Sequence, residues 1–335
     1  MKFLVIGLGS MGKRRVRNLQ ALGIETIAGF DLREDRRKEA NDKYGIEVFS
    51  NYKEALESYQ PNAFVISTSP EYHMHYAWDA VEKDIHCFIE ASVVEAEKIK
   101  ELDAISKKKG VIMCPSCSMG YYPGPKKVKE LIDSGVIGKV LNINYQTGQY
   151  LPDWHPWESI EEFYVSKRDT GGCREIVPFE LTWINKILGN AEPLACVYSK
   201  QTDMPVDIDD IYHCLLRYTN DALLNMTVEV ISRPKATRNM RIIGSKGEIV
   251  FCTDESVVRY IAVNDEDWTK YDISGGTVET QYINPEEPYI EEMSDFVSAV
   301  KERNQALYPN NLIEDYKILQ TLYALEDIAS NRVAQ

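Results

Sequence analysis

The sequence has few positive charges for its length, since 38 lysines and arginines face 52 aspartates and glutamates and the net charge is −14. This balance repels a nucleic-acid backbone and an anionic membrane surface, so we expect neither as a partner. No apolar run approaches the roughly 20 residues that span a bilayer. The opening strand-like run, Lys2–Ile6, is too short for a secretory signal. We therefore expect a cytoplasmic protein.

Cysteine is sparse as well, with seven residues in a chain of 335. This number does not suggest a disulfide scaffold, and reduced thiols fit a cytoplasmic location. The pair Cys114-Pro-Ser-Cys117 has a spacing found in zinc and redox sites. A structural zinc needs about four ligands, and no second pair of this kind accompanies it. We predict no metal site, although either thiol could contact a bound cofactor.

A glycine-rich loop follows the first apolar strand and precedes a helical pattern. In this order Gly7 permits a tight turn, Gly9 lets a pyrophosphate approach the backbone, and Gly12 lets the helix pack on the strand. The diphosphate would lie at the helix N-terminus, where free N–H groups favour an anion. The loop residues predicted to bind a dinucleotide are Gly7, Gly9, Ser10, Met11 and Gly12.

A second strand, Thr26–Phe30, ends in Asp31. A carboxylate there can accept the ribose hydroxyls of the adenosine half of a dinucleotide, and its charge repels the 2′-phosphate of NADP. We therefore predict NAD as the cofactor. Arg33, Arg36 and Arg37 follow closely and could offset that repulsion, which keeps NADP possible, although such arginines also suit a solvated helix face. Arg33 is included in the predicted cofactor site.

Strands and helices continue to alternate up to Cys114, which predicts an α/β Rossmann domain over residues 1–120 with a parallel, doubly wound sheet. Ligands of such sheets lie at the C-terminal ends of the strands. This rule brings Thr68–Pro70, Glu90–Ala91 and Cys114–Tyr122 to one crevice. The strand-end residues predicted to contact the cofactor are Thr68, Ser69, Pro70, Glu90 and Ala91.

The remaining chain, residues 121–335, predicts an α+β domain for substrate binding and oligomerisation. Its alternating strands indicate a large, mainly antiparallel open sheet, with a hairpin turn at Thr219–Asp221. Two helices close the chain and could pack back on the first domain, the last one with an N-cap at Asn311. Because a broad, half-apolar sheet face would otherwise meet solvent, we predict a homodimer or homotetramer through this sheet. His213 lies mid-strand and is predicted to be a core residue.

The motifs together resemble the glucose–fructose oxidoreductase and inositol dehydrogenase (Gfo/Idh/MocA) family over nearly the whole chain. The resemblance rests on GLGSMGKRRVRNL, on ISTSPEYH with His73 seventeen residues before Glu90, and on the hairpin IIGSKGEIVF at Ile242–Phe251. It implies an NAD(P)-dependent oxidoreductase that transfers a hydride between nicotinamide and a hydroxyl or ketone of a sugar, nucleotide sugar or cyclitol. It also implies that His73 and Glu90 belong to the cofactor site.

The chain departs from that family where the chemistry is carried. The family's strand-end glutamate is usually followed by Lys-Pro, whereas Glu90 is followed by Ala91-Ser92. The family's helix-start Asp and His fall on Glu175 and Phe179, so a carboxylate is kept and the histidine is lost. The resemblance then implies that Ala91 lies beside the nicotinamide and that proton transfer comes from elsewhere or is absent.

The stretch Gly148–Glu180 crowds aromatic side chains among charged ones, a combination that suits a sugar or cyclitol. A lid or dimer contact rich in aromatics is the alternative. Glu175 is the predicted catalytic base because it holds the family's carboxylate position, and His155 is the second candidate because it titrates near neutrality. The predicted substrate-binding residues are Tyr121, Tyr150, Trp154, Arg174 and Glu180.

Two other functions stay open from the sequence. An enzyme could retain NAD and catalyse no net oxidation, as in an epimerisation or elimination. The loss of the family's lysine and histidine, at Ala91 and Phe179, also fits a protein that binds a dinucleotide without catalysis.

Overall fold

The computed structural model describes residues 1–154, 159–162, 164–280 and 282–333. The chain forms two compact units. The first comprises Met1–Tyr121 and Gly276–Lys317, and the second comprises Tyr122–Gly275 and the chain from Ile318 onward. Across the described residues, no helix combines the length and the apolar character that crossing a membrane requires.

The first unit is built on a six-stranded parallel sheet in the order β3-β2-β1-β4-β5-β6. Its strands are β1 (Phe3–Ile6), β2 (Ile27–Phe30), β3 (Glu47–Phe49), β4 (Ala63–Ile66), β5 (His86–Ile89) and β6 (Met113–Pro115). Its helices are α1 (Ser10–Ala21), α2 (Glu34–Tyr44), α3 (Tyr52–Glu54), α4 (His73–Glu82), α5 (Ala96–Lys109) and, late in the chain, α8 (Glu287–Lys301). The predicted Rossmann fold is confirmed.

The core of this unit contains side chains from both of the chain segments that form it. Phe296 of α8 packs with its ring centroid 6.2 Å from that of Phe3 and 5.6 Å from that of Phe88. Met293 and Val300 on the same helix belong to the same apolar cluster. Because all of these side chains are nearly or fully buried, α8 is an integral layer of the first unit.

The second unit is built on an eight-stranded sheet in the order β14-β13-β12-β11-β7-β10-β9-β8. Only the pair of β10 with β7 is parallel among the pairs described, so the predicted mainly antiparallel sheet is confirmed. Its strands are β7 (Val140–Gly148), β8 (Ala191–Ser199), β9 (Ile211–Tyr218), β10 (Leu223–Glu229), β11 (Thr237–Gly244), β12 (Gly247–Cys252), β13 (Val257–Ala262) and β14 (Thr269–Asp272). Its helices are α6 (Pro123–Asp133) and α7 (Cys173–Leu188), while α9 (Leu312–Val333) runs from the first unit's sequence into the second's.

One face of this sheet is covered within its own unit, and alternation along β9 decides which residues face which way. Tyr212, Cys214 and Leu216 are buried on the side of α7, whereas His213 and Leu215 are exposed on the other side. The prediction that His213 is a core residue is therefore wrong, because its position in the strand directs it to the open face. Its Nδ1 lies 3.0 Å from Thr227 Oγ1 on the neighbouring strand.

The sequence pattern does not predict three of the strands, β3, β13 and β14. The first has three residues, and β14 is an edge strand of four residues that are mostly exposed. Strands as short or as solvated as β3 and β14 carry little of the alternation on which recognition depends. The predicted N-cap of α9 is confirmed, since Asn311 Oδ1 accepts the N–H groups of Ile313 and Glu314 at 3.1 Å each.

Candidate cofactor and substrate sites

The glycine-rich loop between β1 and α1 has the shape that a dinucleotide diphosphate needs. A Cβ on Gly7 would lie 2.6 Å from the carbonyl oxygen of Ser67, and Gly7 has a φ of +90°. A Cβ on Gly12 would lie 1.8 Å from the carbonyl oxygen of Gly7. At Gly9 the nearest atom to such a Cβ is the flexible guanidinium of Arg36 at 3.3 Å. Packing thus requires Gly7 and Gly12, while Gly9 leaves the backbone open to a ligand.

The N-terminus of α1 completes this cradle. The helix begins at Ser10 with Gly9 as its N-cap, and glycine has no side chain with which to cap the first N–H groups. Ser10 and Met11 are partly exposed in this first turn. Uncapped N–H groups and the positive end of the helix dipole favour an anion at this position. The residues present therefore fit NAD.

Asp31, directly after β2, is almost buried and holds the loop in place. Its Oδ2 accepts the N–H of Leu8 at 2.7 Å, and its Oδ1 accepts the N–H of Arg33 at 2.8 Å. Each oxygen keeps a lone pair for a further donor. The carboxylate is thus fixed at the adenosine end of the predicted site, with capacity left for ribose hydroxyls.

The three arginines after Asp31 have different surroundings. Arg33 pairs in solvent with Asp35, with 2.6 Å between Nη2 and Oδ2. Arg37 donates through Nη1 to the carbonyl oxygens of Asp31 and Leu32. Arg36, whose Nη1 lies 3.9 Å from Asp31 Oδ2, extends toward Gly9. Arg36 is therefore better placed than Arg33 to contact a cofactor.

His73 links the loops that follow β4 and β5. Its ring is buried, with Nε2 3.0 Å from the carbonyl oxygen of Thr68 and Nδ1 3.2 Å from Ser92 Oγ. Because the carbonyl can only accept, Nε2–H donates to Thr68 and Nδ1 accepts from Ser92. Burial lowers the pKa of His73, which fits this neutral tautomer. The side chain thus positions the loop carrying Thr68, Ser69 and Pro70.

Glu90 is held by a residue that sequence reasoning did not select. Arg15 of α1 donates through Nε to Glu90 Oε1 at 2.6 Å and through Nη2 to Glu90 Oε2 at 3.1 Å. Its Nη1 lies 2.9 Å from Oε2 of Glu292, on α8. Arg15 and Glu292 are fully buried, whereas Glu90 keeps 14% of its side chain exposed. Ala91, next in the chain, is half-buried.

The CxxC segment and Tyr121 lie in the interior of the first unit. Cys114 and Cys117 are both buried, and burial raises the pKa of the Cys114 thiol. Tyr121 belongs to the apolar core and donates through its hydroxyl to Asp295 Oδ2 at 2.8 Å. These contacts give Tyr121 a packing role in its own unit.

In the second unit the predicted catalytic carboxylate has a close partner. Glu175 lies in the first turn of α7, where the helix dipole favours a carboxylate. The hydroxyl of Tyr164 donates to Glu175 Oε1 at 2.6 Å. Tyr164 is in the aromatic stretch, but nothing in the sequence singles it out from its neighbours. His155, the second candidate base, lies outside the described residues.

The predicted substrate residues of this unit divide into two groups. Tyr150 and Trp154, in the segment that follows β7, are partly exposed, and the guanidinium carbon of Arg233 lies 3.4 Å from the ring centroid of Tyr150. Arg174 instead forms an ion pair with Glu326, with 2.7 Å between Nε and Oε1. These positions leave the two aromatic residues as the better candidates for a sugar.

The Glu180 carboxylate is hydrogen-bonded to side chains in the interior of the second unit. Its Oε2 accepts from the hydroxyl of Tyr145 at 2.6 Å and from Nε1 of Trp183 at 2.8 Å, and its Oε1 accepts from Arg238 at 2.6 Å. The side chain is fully buried. These bonds tie α7 to β7 and β11, which gives Glu180 a structural role that the sequence-based assignment to substrate did not foresee.

Comparison with known proteins gives matches in both units. The family described as "Oxidoreductase family, NAD-binding Rossmann fold" matches residues 1–116, and the "GFO/IDH/MocA C-terminal domain" matches residues 126–250. The chain is similar to inositol 2-dehydrogenase of Salmonella typhimurium, at 26% identity over 177 residues that cover 50% of this chain and 53% of that protein. It is also similar to myo-inositol 2-dehydrogenase of Thermotoga maritima, at 27% identity over 142 residues, 42% of each chain. The chain spans about half the length of the curated relatives it matches.

The fold as a whole has solved counterparts. The structure titled levoglucosan dehydrogenase in complex with NADH superposes with a TM-score of 0.84, covering 99% of this chain and 97% of that one, at 18% identity. At that identity the likeness shows the fold. The two domain matches show more than the fold: the chain belongs to the Gfo/Idh/MocA family of NAD-binding oxidoreductases.

Proposed function

We propose that the chain is an NAD-dependent dehydrogenase or reductase that acts on a hydroxyl or ketone of a sugar, nucleotide sugar or cyclitol. The observation that carries the proposal is the pair of Tyr164 and Glu175, a phenol and a carboxylate joined at 2.6 Å. Relatives named inositol 2-dehydrogenase support the substrate class.

NAD supplies the hydride acceptor or donor when it is bound. The glycine-rich loop and the first turn of α1 would hold its diphosphate, and Asp31 would accept its adenosine ribose hydroxyls. The carboxylate is already oriented by Leu8 and Arg33, so little ordering is needed on binding. In this proposal the first unit binds NAD and orients it.

Glu175 is the proposed proton acceptor. Oxidation of an alcohol requires a base for the hydroxyl proton as the hydride leaves the same carbon, and a positioned base contributes about 10²–10⁴-fold to such a step. The Tyr164 hydroxyl, which donates to Oε1, orients the Glu175 carboxylate that would take the proton. Tyr150 and Trp154 would pack against the apolar faces of the sugar ring.

The test is a screen of the purified protein with NAD⁺ and a panel of polyols, followed by the Glu175→Gln variant on any substrate found. We expect NADH to accumulate with wild type, and kcat to fall about 100-fold or more in Glu175→Gln while the Kd for NAD⁺ is unchanged. Glu162→Gln, an identical change at an exposed carboxylate, is the matched control. Wild-type turnover in Glu175→Gln would show that another residue is the base, and His155 would be the next candidate to test.

Two other outcomes identify the alternatives. Isomerised product without accumulation of NADH indicates an enzyme that retains and recycles its cofactor. NAD⁺ binding without turnover on any polyol indicates a protein that binds the dinucleotide only, as Ala91 after Glu90 would permit.

A further inference from the structure

Arg15, Glu90 and Glu292 form a charge cluster in the first unit. The two bonds from Arg15 to Glu90, at 2.6 and 3.1 Å, use the guanidinium as a fork. Bidentate pairs of this kind fix the direction of a carboxylate as well as its position. The ring of Phe88 lies under the guanidinium, 4.4 Å from centroid to Cζ, and restricts it further.

Glu292 anchors the cluster from the opposite side. Besides the contact with Arg15, its Oε1 accepts the N–H of Cys117 at 2.5 Å and the hydroxyls of Ser116 and Tyr308 at 3.1 Å each. Burial raises the pKa of Glu292, but its many donors hold it in one orientation. Arg15 is therefore immobilised between an anchored carboxylate and Glu90.

Glu90 is the member of the cluster that reaches the surface. It follows β5, and the sheet order places β5 beside β4 and on the far side of β1 from β2. Asp31 follows β2 and marks the adenosine end of the site. Because a dinucleotide crosses the C-terminal edge of such a sheet at the β1–β4 switch point, Glu90 lies on the nicotinamide side.

We propose that Arg15 is a positioning residue for the nicotinamide half of the cofactor, which it serves by fixing Glu90 as a hydrogen-bond acceptor at the end of β5. An ionised carboxylate only accepts, and the nicotinamide nucleoside offers ribose hydroxyls and a carboxamide N–H as donors. The proposal rests on the NAD-dependent function above. Its test measures binding alone, so failure of the proposed substrate class leaves it standing.

The experiment compares NAD⁺ with ADP-ribose, which lacks the nicotinamide, by titration calorimetry. Arg15→Lys keeps the charge and loses the fork. We expect its Kd for NAD⁺ to rise about 10-fold, the loss of about one charge-assisted hydrogen bond, while its Kd for ADP-ribose changes less than about 2-fold. Glu90→Gln should give the same split. The double variant should be no weaker than the weaker single variant, because both changes remove one interaction.

Arg14→Lys is the matched control, since Arg14 is a buried arginine of the same helix that pairs with Glu286 at 3.0 Å. It should bind both ligands like wild type. If Arg15→Lys weakens the binding of NAD⁺ and of ADP-ribose equally, the change disturbs α1 in general. If Arg15→Lys binds both ligands like wild type, Arg15 has no role in cofactor binding. Either result overturns the proposal. If Arg15→Lys fails to fold, Glu90→Gln decides, and wild-type affinity of Glu90→Gln for NAD⁺ is then the contrary result.

Discussion

The carboxylate of Asp31 accepts the backbone N–H of Leu8, with 2.7 Å between N and Oδ2. This bond joins the end of β2 to the glycine-rich loop, so Asp31 shapes the diphosphate cradle as well as the ribose end of the site. We expect Asp31→Ala to weaken NAD⁺ binding by about 10- to 100-fold, as loss of hydrogen bonds to a charged acceptor does. Calorimetry that finds undiminished affinity would remove Asp31 from the cofactor site.

Gly12→Ala should destabilise the first unit. The new methyl would lie 1.8 Å from the carbonyl oxygen and 2.8 Å from the carbonyl carbon of Gly7, and backbone cannot move aside as a flexible side chain can. We expect a loss of about 2 kcal/mol or more in the free energy of unfolding, measured by chemical denaturation. Gly120→Ala is the control, because its methyl would meet no described atom within 4 Å. Equal stability of the two variants would contradict the packing role of Gly12.

Asp315, in the N-terminal part of α9, should make stability depend on pH. Burial raises its pKa to about 7, above the value of about 3.9 in an unfolded chain. Between these values the native state binds more protons than the unfolded state, so this group lowers the stability as pH rises from about 4 to about 7. Below that window it contributes nothing.

Asp315→Asn should therefore be more stable than wild type at pH 8, by up to about 4 kcal/mol from linkage, and the difference should vanish near pH 3. Urea denaturation across this range measures it. Glu314→Gln, in the same turn but partly exposed, controls for loss of a charge near the helix N-terminus. A difference between Asp315→Asn and wild type that does not vary with pH would contradict the prediction.

The open face of the second sheet stays our prediction for a homo-oligomer interface. Leu215 and Leu223 are each 36% exposed there and Val197 is 58% exposed. We expect wild type to sediment as a dimer or tetramer at micromolar concentration, and Leu215→Asp to shift it toward monomer, because a charge cannot be buried unpaired in an interface. Leu32→Asp, at an exposed leucine of the first unit, is the control. Sedimentation of the wild type as a monomer at micromolar concentration would contradict the prediction.

The sequence determined the elements whose patterns are local. The glycine spacing, the apolar strands and Asp31 were sufficient to predict the Rossmann unit, because strand, glycine-rich loop, helix, second strand and acidic residue follow one another in a fixed order along the chain. Alternation along β9 and β10 likewise predicted an antiparallel sheet. A local pattern also gave the N-cap of α9.

Only the tertiary structure decided which polar side chains form ion pairs and hydrogen bonds with one another. Nothing adjacent to Arg15 or Glu180 in sequence indicates that their partners are Glu292 and Arg238, which lie far along the chain. The same holds for Tyr164, which becomes notable only because the fold places its hydroxyl against Glu175 in the first turn of α7. The partners of buried charges are chosen by packing between distant segments, and the cost of burying an unpaired charge then fixes the role of each residue.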